Sequence, residues 1–420
     1  MKKVVRIIGR MNGGGPARQV AYLHRSLRSS FETILVIGAV EPGEYDMRYL
    51  LEDSIGVVEI PSMSRSVKVW SDLVSLITIT RLLLRERPDI VHTHTAKAGV
   101  LGRVAALLAG VPVRIHTYHG NVFQGYFGKR TSRLIIAIER MLNRVTTRVI
   151  AISESQAEEL VGRFRVADRR KVAIIRNGFD LSAMTVSERQ RVEVRQTLGI
   201  ASDDLLVVWA GRIAPIKNLP LLLEVANRAS HLPKIKFLVA GDGGNREVVV
   251  NAAQASSNLI FIGWQKDMSP IWAASDIALL TSKNEGTPTS LIEAMVAGKP
   301  FVATSVGGVL DLAKSPVKEI SADCTQAANG FLTAAAPEVI VACIEKLSSS
   351  PGLAKEMGDE GRSFALANYS QERLSCEVLS LYRELEKLRK TDWGDETLPN
   401  TIAPSLRNDR VGDNQVVCQK

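Results

Sequence analysis

The 420-residue sequence holds only four cysteines, and aromatic residues make up just 5% of it. Cys324, Cys343, Cys376 and Cys418 show no close pairing, which excludes a disulfide miniprotein, argues against a zinc module and suggests a reducing compartment. No window reaches the roughly 18 uninterrupted apolar residues that a membrane helix needs. Leu73 to Leu84 is broken by Arg81, and Val104 to Val113 is short. The opening MKKVVRIIGR sets Arg6 and Arg10 where a secretion signal would be apolar. The expectation is a cytoplasmic protein, at most peripheral on the inner face of the cytoplasmic membrane. No carboxylate occurs from Ile90 to Ile138, although Lys97, Arg103, Arg114, Lys129, Arg130 and Arg133 do; such a stretch favours anionic surfaces or ligands. No G-x-G-x-x-G precedes a helix, which disfavours nicotinamide chemistry. Neither an RNA-recognition aromatic signature nor a helix-turn-helix is present, so nucleic acid is not the expected partner.

What is present is ordinary globular usage, 45% apolar and 23% charged, in a chain long enough for two large domains. The charge is uneven: residues 1–178 carry 28 basic and 15 acidic side chains, net +13, and the remainder 25 and 29, net −4.

Short β-branched runs alternate with longer amphipathic stretches, the pattern of a doubly wound parallel sheet. The first half suggests strands at Val4–Ile8, Thr33–Ile37, Ile90–Thr93, Val113–Thr117, Val149–Ile152 and Val172–Ile175. A polar, irregular segment from Asn177 to about Ser202 separates them from a second series at Leu205–Ala210, Phe237–Ala240, Leu259–Ile262, Ile277–Leu280 and Pro300–Ala303. Pro16 and Pro288 mark helix starts, and Ser153 with Gln156 has capping-box spacing. The reading is a first domain over 1–180, a second over 200–369, an amphipathic helix over 370–389, and a mobile tail over 390–420.

Three clusters carry chemistry. In EGTPTSLIEAMVAGKP (285–300), Glu285 precedes a helix and Glu293 lies on it; carboxylates there accept hydrogen bonds from sugar hydroxyls, while backbone amides at the helix start face a phosphate. In GRIAPIKN (211–218), Arg212 and Lys217 lead into a helix at the carboxyl end of a strand, where open α/β sheets bind ligands. Two such cations can neutralise a diphosphate without a metal ion. Gly13, Gly14 and Gly15 follow the first strand and allow close backbone approach to a phosphate or sugar. Of the histidines, His92 and His94 share one strand face and read as structural, whereas His119 ends a strand beside Gly120 and can hydrogen-bond a sugar or orient an acceptor. The pattern HTYH, with no acidic or cysteine neighbour, is not a zinc site.

These motifs, with HTH at 92–94, HTYHG at 116–120, AISES at 151–155, RNGFD at 176–180, GDG at 241–243 and GGVLD at 307–311, resemble the family 4 glycosyltransferases over residues 3–385. The resemblance implies the GT-B architecture: two Rossmann-like doubly wound parallel-sheet domains facing a central cleft, with the last helix returning to the first domain. It implies a retaining enzyme whose co-substrate is a nucleotide-diphosphate sugar and which requires no metal cofactor. Arg212 and Lys217 would grip the diphosphate, Glu293 the ribose and Glu285 the transferred sugar, with Gly14, Gly15, Gly286, Thr287 and Thr289 lining the donor site and His119 beside the reacting sugar. Two positions depart from the family pattern, Thr287 in place of an aromatic and Asp311 in place of a glutamate, so a differently shaped donor-sugar pocket is expected.

On the acceptor side, VFQGYFGKRTSR sets Phe123, Tyr126 and Phe127 beside Lys129, Arg130 and Arg133, suited to an anionic membrane. The expected acceptor is polyprenyl-linked or another glycan, as in cell-surface polysaccharide synthesis. The alternatives are a GT-B nucleotide-sugar epimerase, which needs no acceptor, and a non-catalytic phosphate- or nucleic-acid-binding protein.

Overall fold

A computed structural model of the chain describes residues 1–391 apart from 43, 52–54, 65, 121–127, 182–183 and 185, and not the side chains of 129 and 388–391. The first lobe is built on β1 (Lys3–Ile8), β2 (Glu32–Gly38), β3 (Val57–Ile60), β4 (Ile90–His94), β5 (Val113–Tyr118), β6 (Arg148–Ala151) and β7 (Val172–Ile174). They form one parallel sheet in the order β3-β2-β1-β4-β5-β6-β7. The second lobe holds β8 (Leu205–Ala210), β9 (Ile235–Ala240), β10 (Leu259–Gly263), β11 (Ile277–Leu280), β12 (Phe301–Thr304), β13 (Val317–Ser321), β14 (Cys324–Ala327) and β15 (Gly330–Thr333). Its sheet runs β10-β9-β8-β11-β12-β15-β14-β13, parallel except where β13, β14 and β15 pair antiparallel. Four strands lie outside the sequence reading. Val317–Ser321 is exposed throughout, so no buried face imprints a hydrophobic pattern, and β3, β14 and β15 have only four residues each.

The strand order reverses beside β1 in one sheet and beside β8 in the other. Such reversals open crevices at the carboxyl ends of the strands. The loops expected to carry chemistry leave those ends: Gly9–Gly14 after β1, Gly211–Asn218 after β8, and Thr281–Pro288 after β11. Below each crevice the sheet is sealed by apolar residues. Leu206, Val208, Leu280, Leu291, Ile292 and Met295 are buried together on one face of the second sheet, with Val207, Trp209, Leu222 and Phe237 on the other; each such side chain contributes about 1.5–3 kcal/mol by burial.

The lobes are connected twice. The chain leaves the first lobe through RNGFD, and the returning chain crosses it: Phe179 N–H donates to the Tyr369 carbonyl at 2.8 Å, and Gln371 N–H to the Phe179 carbonyl at 3.0 Å. A side chain at Gly178 would lie 2.6 Å from the Leu374 Cβ and 2.8 Å from the Ser370 carbonyl oxygen, so only glycine fits the crossing. The helix Gln371–Thr391 then buries Leu374, Val378, Leu381, Tyr382 and Leu385 against Val4, Leu23 and Ile90 of the first lobe.

The cationic tract from Lys97 to Arg133 does not form one basic surface. Arg103 is fully buried, bonded to Glu139 at 2.7 Å and Asn143 at 3.0 Å. Arg114 donates to the carbonyls of Val145 and Val111, and Lys97 pairs with Asp72. Half of the cations that composition assigns to the surface therefore hold the first lobe together.

Candidate active site

The helix Thr289–Val296 starts where the sequence predicts, immediately after Pro288. The loop before it carries Glu285, and the loop after β8 folds a short turn, Pro215–Lys217, onto it. Lys283 N–H donates to the Ile216 carbonyl at 2.8 Å and Thr281 Oγ1 to the Lys217 carbonyl at 3.0 Å. This lacing delivers Lys217 Nζ to Glu285 Oε1 at 2.6 Å, and Ser282 Oγ donates to the same oxygen at 2.5 Å. The cation cluster and the carboxylate cluster of the sequence are thus one site. Lys217 has three N–H donors and keeps others for a second anion. Arg212, from the same loop, is exposed to solvent.

Glu293 lies on the helix and accepts a hydrogen bond from the buried Trp272 Nε1 at 3.2 Å. Burial pushes its carboxyl above the usual carboxylate range, while the Trp272 bond and the charge of Arg18, across in the first lobe, act in the opposite direction. Neither Trp272 nor Ser282 nor Arg18 is singled out by the sequence reading; a buried tryptophan and a serine at a strand end carry no local signal that distinguishes them from core and loop.

The first lobe meets this loop backbone to backbone. A methyl group on Gly286 would sit 2.9 Å from the His119 carbonyl oxygen and 3.4 Å from the Gly120 Cα, and one on Gly15 would sit 3.7 Å from Thr289 Oγ1. Beneath Glu285, Gly308 N–H donates to its carbonyl at 3.0 Å, and a side chain at Gly308 would lie 1.6 Å from the Gly286 carbonyl oxygen. That contact requires glycine at 308, the second glycine of GGVLD. Its Asp311 bridges the lobes, accepting from Ser155 N–H at 3.3 Å and Ser155 Oγ at 2.5 Å. The helix beginning after Ser153 is capped by that side chain as expected, but Gln156 Oε1 returns to Ile152 N–H rather than to the cap residue.

His119 is one end of a buried imidazole row. Its Nε2 is 3.0 Å from His94 Nδ1, and the two rings stack at 5.2 Å. The His92 ring lies 4.2 Å from that of His94 and contacts Thr117 Oγ1 and Tyr382 OH, each at 2.7 Å. Burial holds His119 down to about 4, and holds His92 and His94 well below the usual imidazole range with help from the charge of the buried Arg6. The row is neutral at pH 7. His119 Nδ1 is shielded from solvent and has no partner among the described residues.

The structure therefore gathers Gly15, His119, Lys217, Glu285, Gly286, Thr289 and Glu293 along one interlobe seam, with Gly14, Arg212 and Thr287 in the same loops. Arg130 and Arg133 are exposed at the start of the helix Lys129–Val145. Phe123, Tyr126, Phe127 and the Lys129 side chain lie outside the described residues.

Two facing sheets with their ligand loops converging on the seam define a GT-B glycosyltransferase, and the comparisons agree. The family model "Glycosyltransferase Family 4" matches residues 13–183, and "Glycosyl transferases group 1" matches 190–364. The UDP-Gal:α-D-GlcNAc-diphosphoundecaprenol α-1,3-galactosyltransferase of Escherichia coli is 32% identical over 265 residues, 61% of this chain and 68% of its own length. HepE of Anabaena, crystallised with UDP and glucose, matches with a TM-score of 0.75 at 19% identity, covering 91% of this chain and 100% of that one. Sucrose-phosphate synthase of Thermosynechococcus elongatus matches at 0.74 and 16% identity, covering 92% and 100%. The chain belongs to glycosyltransferase family 4.

Proposed function

We propose that the protein transfers a sugar, with retention of configuration, from a nucleoside-diphosphate donor to a hydroxyl of a lipid-linked saccharide in cell-surface polysaccharide synthesis. The observation that carries the donor half is the Lys217–Glu285 pair at 2.6 Å at the start of the helix Thr289–Val296, with the His119–Gly120 backbone packed on Gly286 from across the seam. A carboxylate for sugar hydroxyls and a cation for phosphate stand next to each other, as a diphosphate-linked sugar requires. The E. coli relative is named for a diphosphoundecaprenol-linked substrate, which supports the lipid-linked acceptor.

In this reading Arg212, Lys217 and the helix N-terminus neutralise the diphosphate, with no metal ion required. The acceptor hydroxyl oxygen attacks the anomeric carbon on the face from which the diphosphate departs. The bond from that carbon to the phosphate oxygen breaks, and the departing phosphate takes the hydroxyl proton. Fixed positive groups stabilise the charge that develops on the leaving oxygen. His119 is neutral and serves as a hydrogen-bonding partner to the sugar, through the Nδ1 that has no partner among the described residues.

The test is incubation with UDP-, GDP- and TDP-sugars, with and without a polyprenyl-diphosphate saccharide, in chelator. Acceptor-dependent nucleotide release and an α-linked product from an α-linked donor are expected. Epimerised sugar without acceptor would assign the protein to the epimerases instead, and loss of all turnover in chelator would overturn the metal-free reading.

A further inference from the structure

We propose that Tyr45 and Trp264 form an aromatic clasp across the seam that holds the lobes closed over the nucleoside end of the donor. The proposal rests on the transferase reading and gives the reaction two positioning residues that stand in none of the sequence motifs. Tyr45 lies in the loop after β2 of the first lobe, and Trp264 follows β10 of the second. Their ring centroids are 4.6 Å apart, with the planes tilted by 37°, a separation at which aromatic rings are in contact. Tyr49 packs edge-on against Tyr45 at 6.5 Å. Tyr45 is 42% exposed and Trp264 45%, so neither ring is enclosed in a core and the contact between them is free to part.

Each ring is tied to a loop of the site. The Tyr45 segment is laced to the glycine-rich loop after β1: Gly13 N–H donates to the Tyr45 carbonyl at 2.9 Å, Met47 N–H to the Met11 carbonyl at 2.8 Å, and Asn12 Nδ2 to Glu44 Oε1 at 3.0 Å. A side chain at Gly13 would lie 3.3 Å from the Tyr45 Cβ. Trp264 directly follows Gly263, whose carbonyl accepts from Gly241 N–H at 2.8 Å. Beyond Trp264 the chain enters the helix Ser269–Ala274, whose Trp272 donates to Glu293. A pull on the aromatic contact is therefore a pull on the glycine-rich loop from one side and on the surroundings of Glu293 from the other.

Topology places the clasp at one end of the seam. In the first sheet Tyr45 follows β2 and Ser155 follows β6, on opposite sides of β1 and β4; in the second, Trp264 follows β10 and Asp311 follows β12, on opposite sides of β8 and β11. The Ser155–Asp311 bridge and the aromatic pair thus pin the seam on its two sides, with the donor loops between them. A nucleotide sugar has a sugar at either end of its diphosphate, and the second lobe offers two carboxylates. Glu285 adjoins Gly286, on which the His119–Gly120 backbone packs, so Glu285 faces the sugar that is transferred and Glu293 is left for the ribose. The charge of Arg18 bears both on Glu293 and on Tyr49, the ring beside Tyr45. The clasp accordingly closes the side of the seam that holds the nucleoside.

The experiment uses the full chain labelled with fluorotryptophan, the Trp264 fluorine signal being identified by its loss in Trp264→Phe. Tyr45→Ala should move that signal in the absence of ligand, because the stacked ring is gone. Of UDP, GDP and TDP, at least one should move it further than inorganic pyrophosphate does at saturation. In transfer assays Tyr45→Ala and Trp264→Ala should each raise the donor KM about two- to tenfold, the scale of one aromatic pair, with little change in kcat. The double variant should be no worse than the worse single one, since both remove the same contact, and Tyr45→Phe should recover most of the loss. A Trp264 signal that ignores Tyr45→Ala, one that no nucleotide moves beyond pyrophosphate, or additive KM effects would each overturn the clasp while leaving the transferase reading intact. That reading fails on a different result, the absence of acceptor-dependent nucleotide release with every donor, and the fluorine signals decide the clasp in either case.

Discussion

The two lobes prepare their sides of the seam differently. In the first, the polar groups behind the seam are His92, His94 and His119, kept neutral by burial. In the second they are charged, with Lys217 held on Glu285 at 2.6 Å. A neutral row can offer directional hydrogen bonds without competing for an anion, whereas a paired cation and carboxylate can exchange partners with a charged ligand. The contrast teaches that two lobes of the same architecture present different electrostatics to one shared seam.

Acid should break the comparison most strongly. Burial holds both His24 and His119 near 4, against 6.5 in the unfolded chain, so below about pH 6.5 the unfolded state binds more protons and the first lobe loses stability. Each group costs up to about 3 kcal/mol by pH 4. Glu293 has the opposite sign. Its folded pKa is raised, so its contribution is present at low pH and lost as pH rises through the carboxylate range. Hydrogen exchange at pH 7 and pH 5 should show first-lobe amides losing protection well before those of the second lobe. Uniform loss across both lobes would remove the contrast.

Next in size is removal of positive charge. Arg212→Ala or Lys217→Ala should each lower turnover about 10²-fold or more, on the scale of one preorganised charge contact, with first-lobe stability unaltered. Unchanged rates in the double variant would refute the assignment of the diphosphate to this loop. His94→Ala should be milder, about tenfold in turnover, the scale of one hydrogen bond, because His119 loses the ring that fixes its tautomer, and His94→Asn should recover part of that loss. Nitrogen shifts of labelled His119 that stay the same in His94→Ala would disprove the positioning role. Smallest is Ser155→Ala, which removes a hydrogen bond to the carboxylate of Asp311 across the lobes. It should weaken the contact between the lobes by about 0.5–1 kcal/mol, because the Ser155 N–H still donates to Asp311, and raise the donor KM with kcat nearly constant in steady-state assays.

Much of this was legible in the chain. Leu205–Ala210 and Ile277–Leu280 are strands with the bounds the sequence suggests, because buried parallel strands are continuous apolar runs whose ends are set by polar turns. Pro16 and Pro288 mark helix starts correctly: Pro16 lies in the first turn, where the proline ring fixes the backbone angle that the turn needs, and Pro288 is the extended residue immediately before its helix. The short strand β3 and the edge hairpins β13 to β15 were not legible. They draw their stability from pairing with neighbours rather than from their own pattern.

The sequence by itself determined the alternation of strands and helices, the loops rich in glycine and charge, and the order of the motifs, because each is set by interactions among residues near one another along the chain. Only the tertiary structure decided which of those groups meet. It takes Arg103 out of the cationic surface by placing Glu139 beside it, joins Lys217 to Glu285 across 68 positions, and splits the apolar run at 69–84, burying Ile79, Leu82 and Leu83 while leaving Trp70, Leu73, Val74 and Ile77 exposed. Those outcomes depend on distances between strands far apart in the chain, and packing, not local preference, sets such distances.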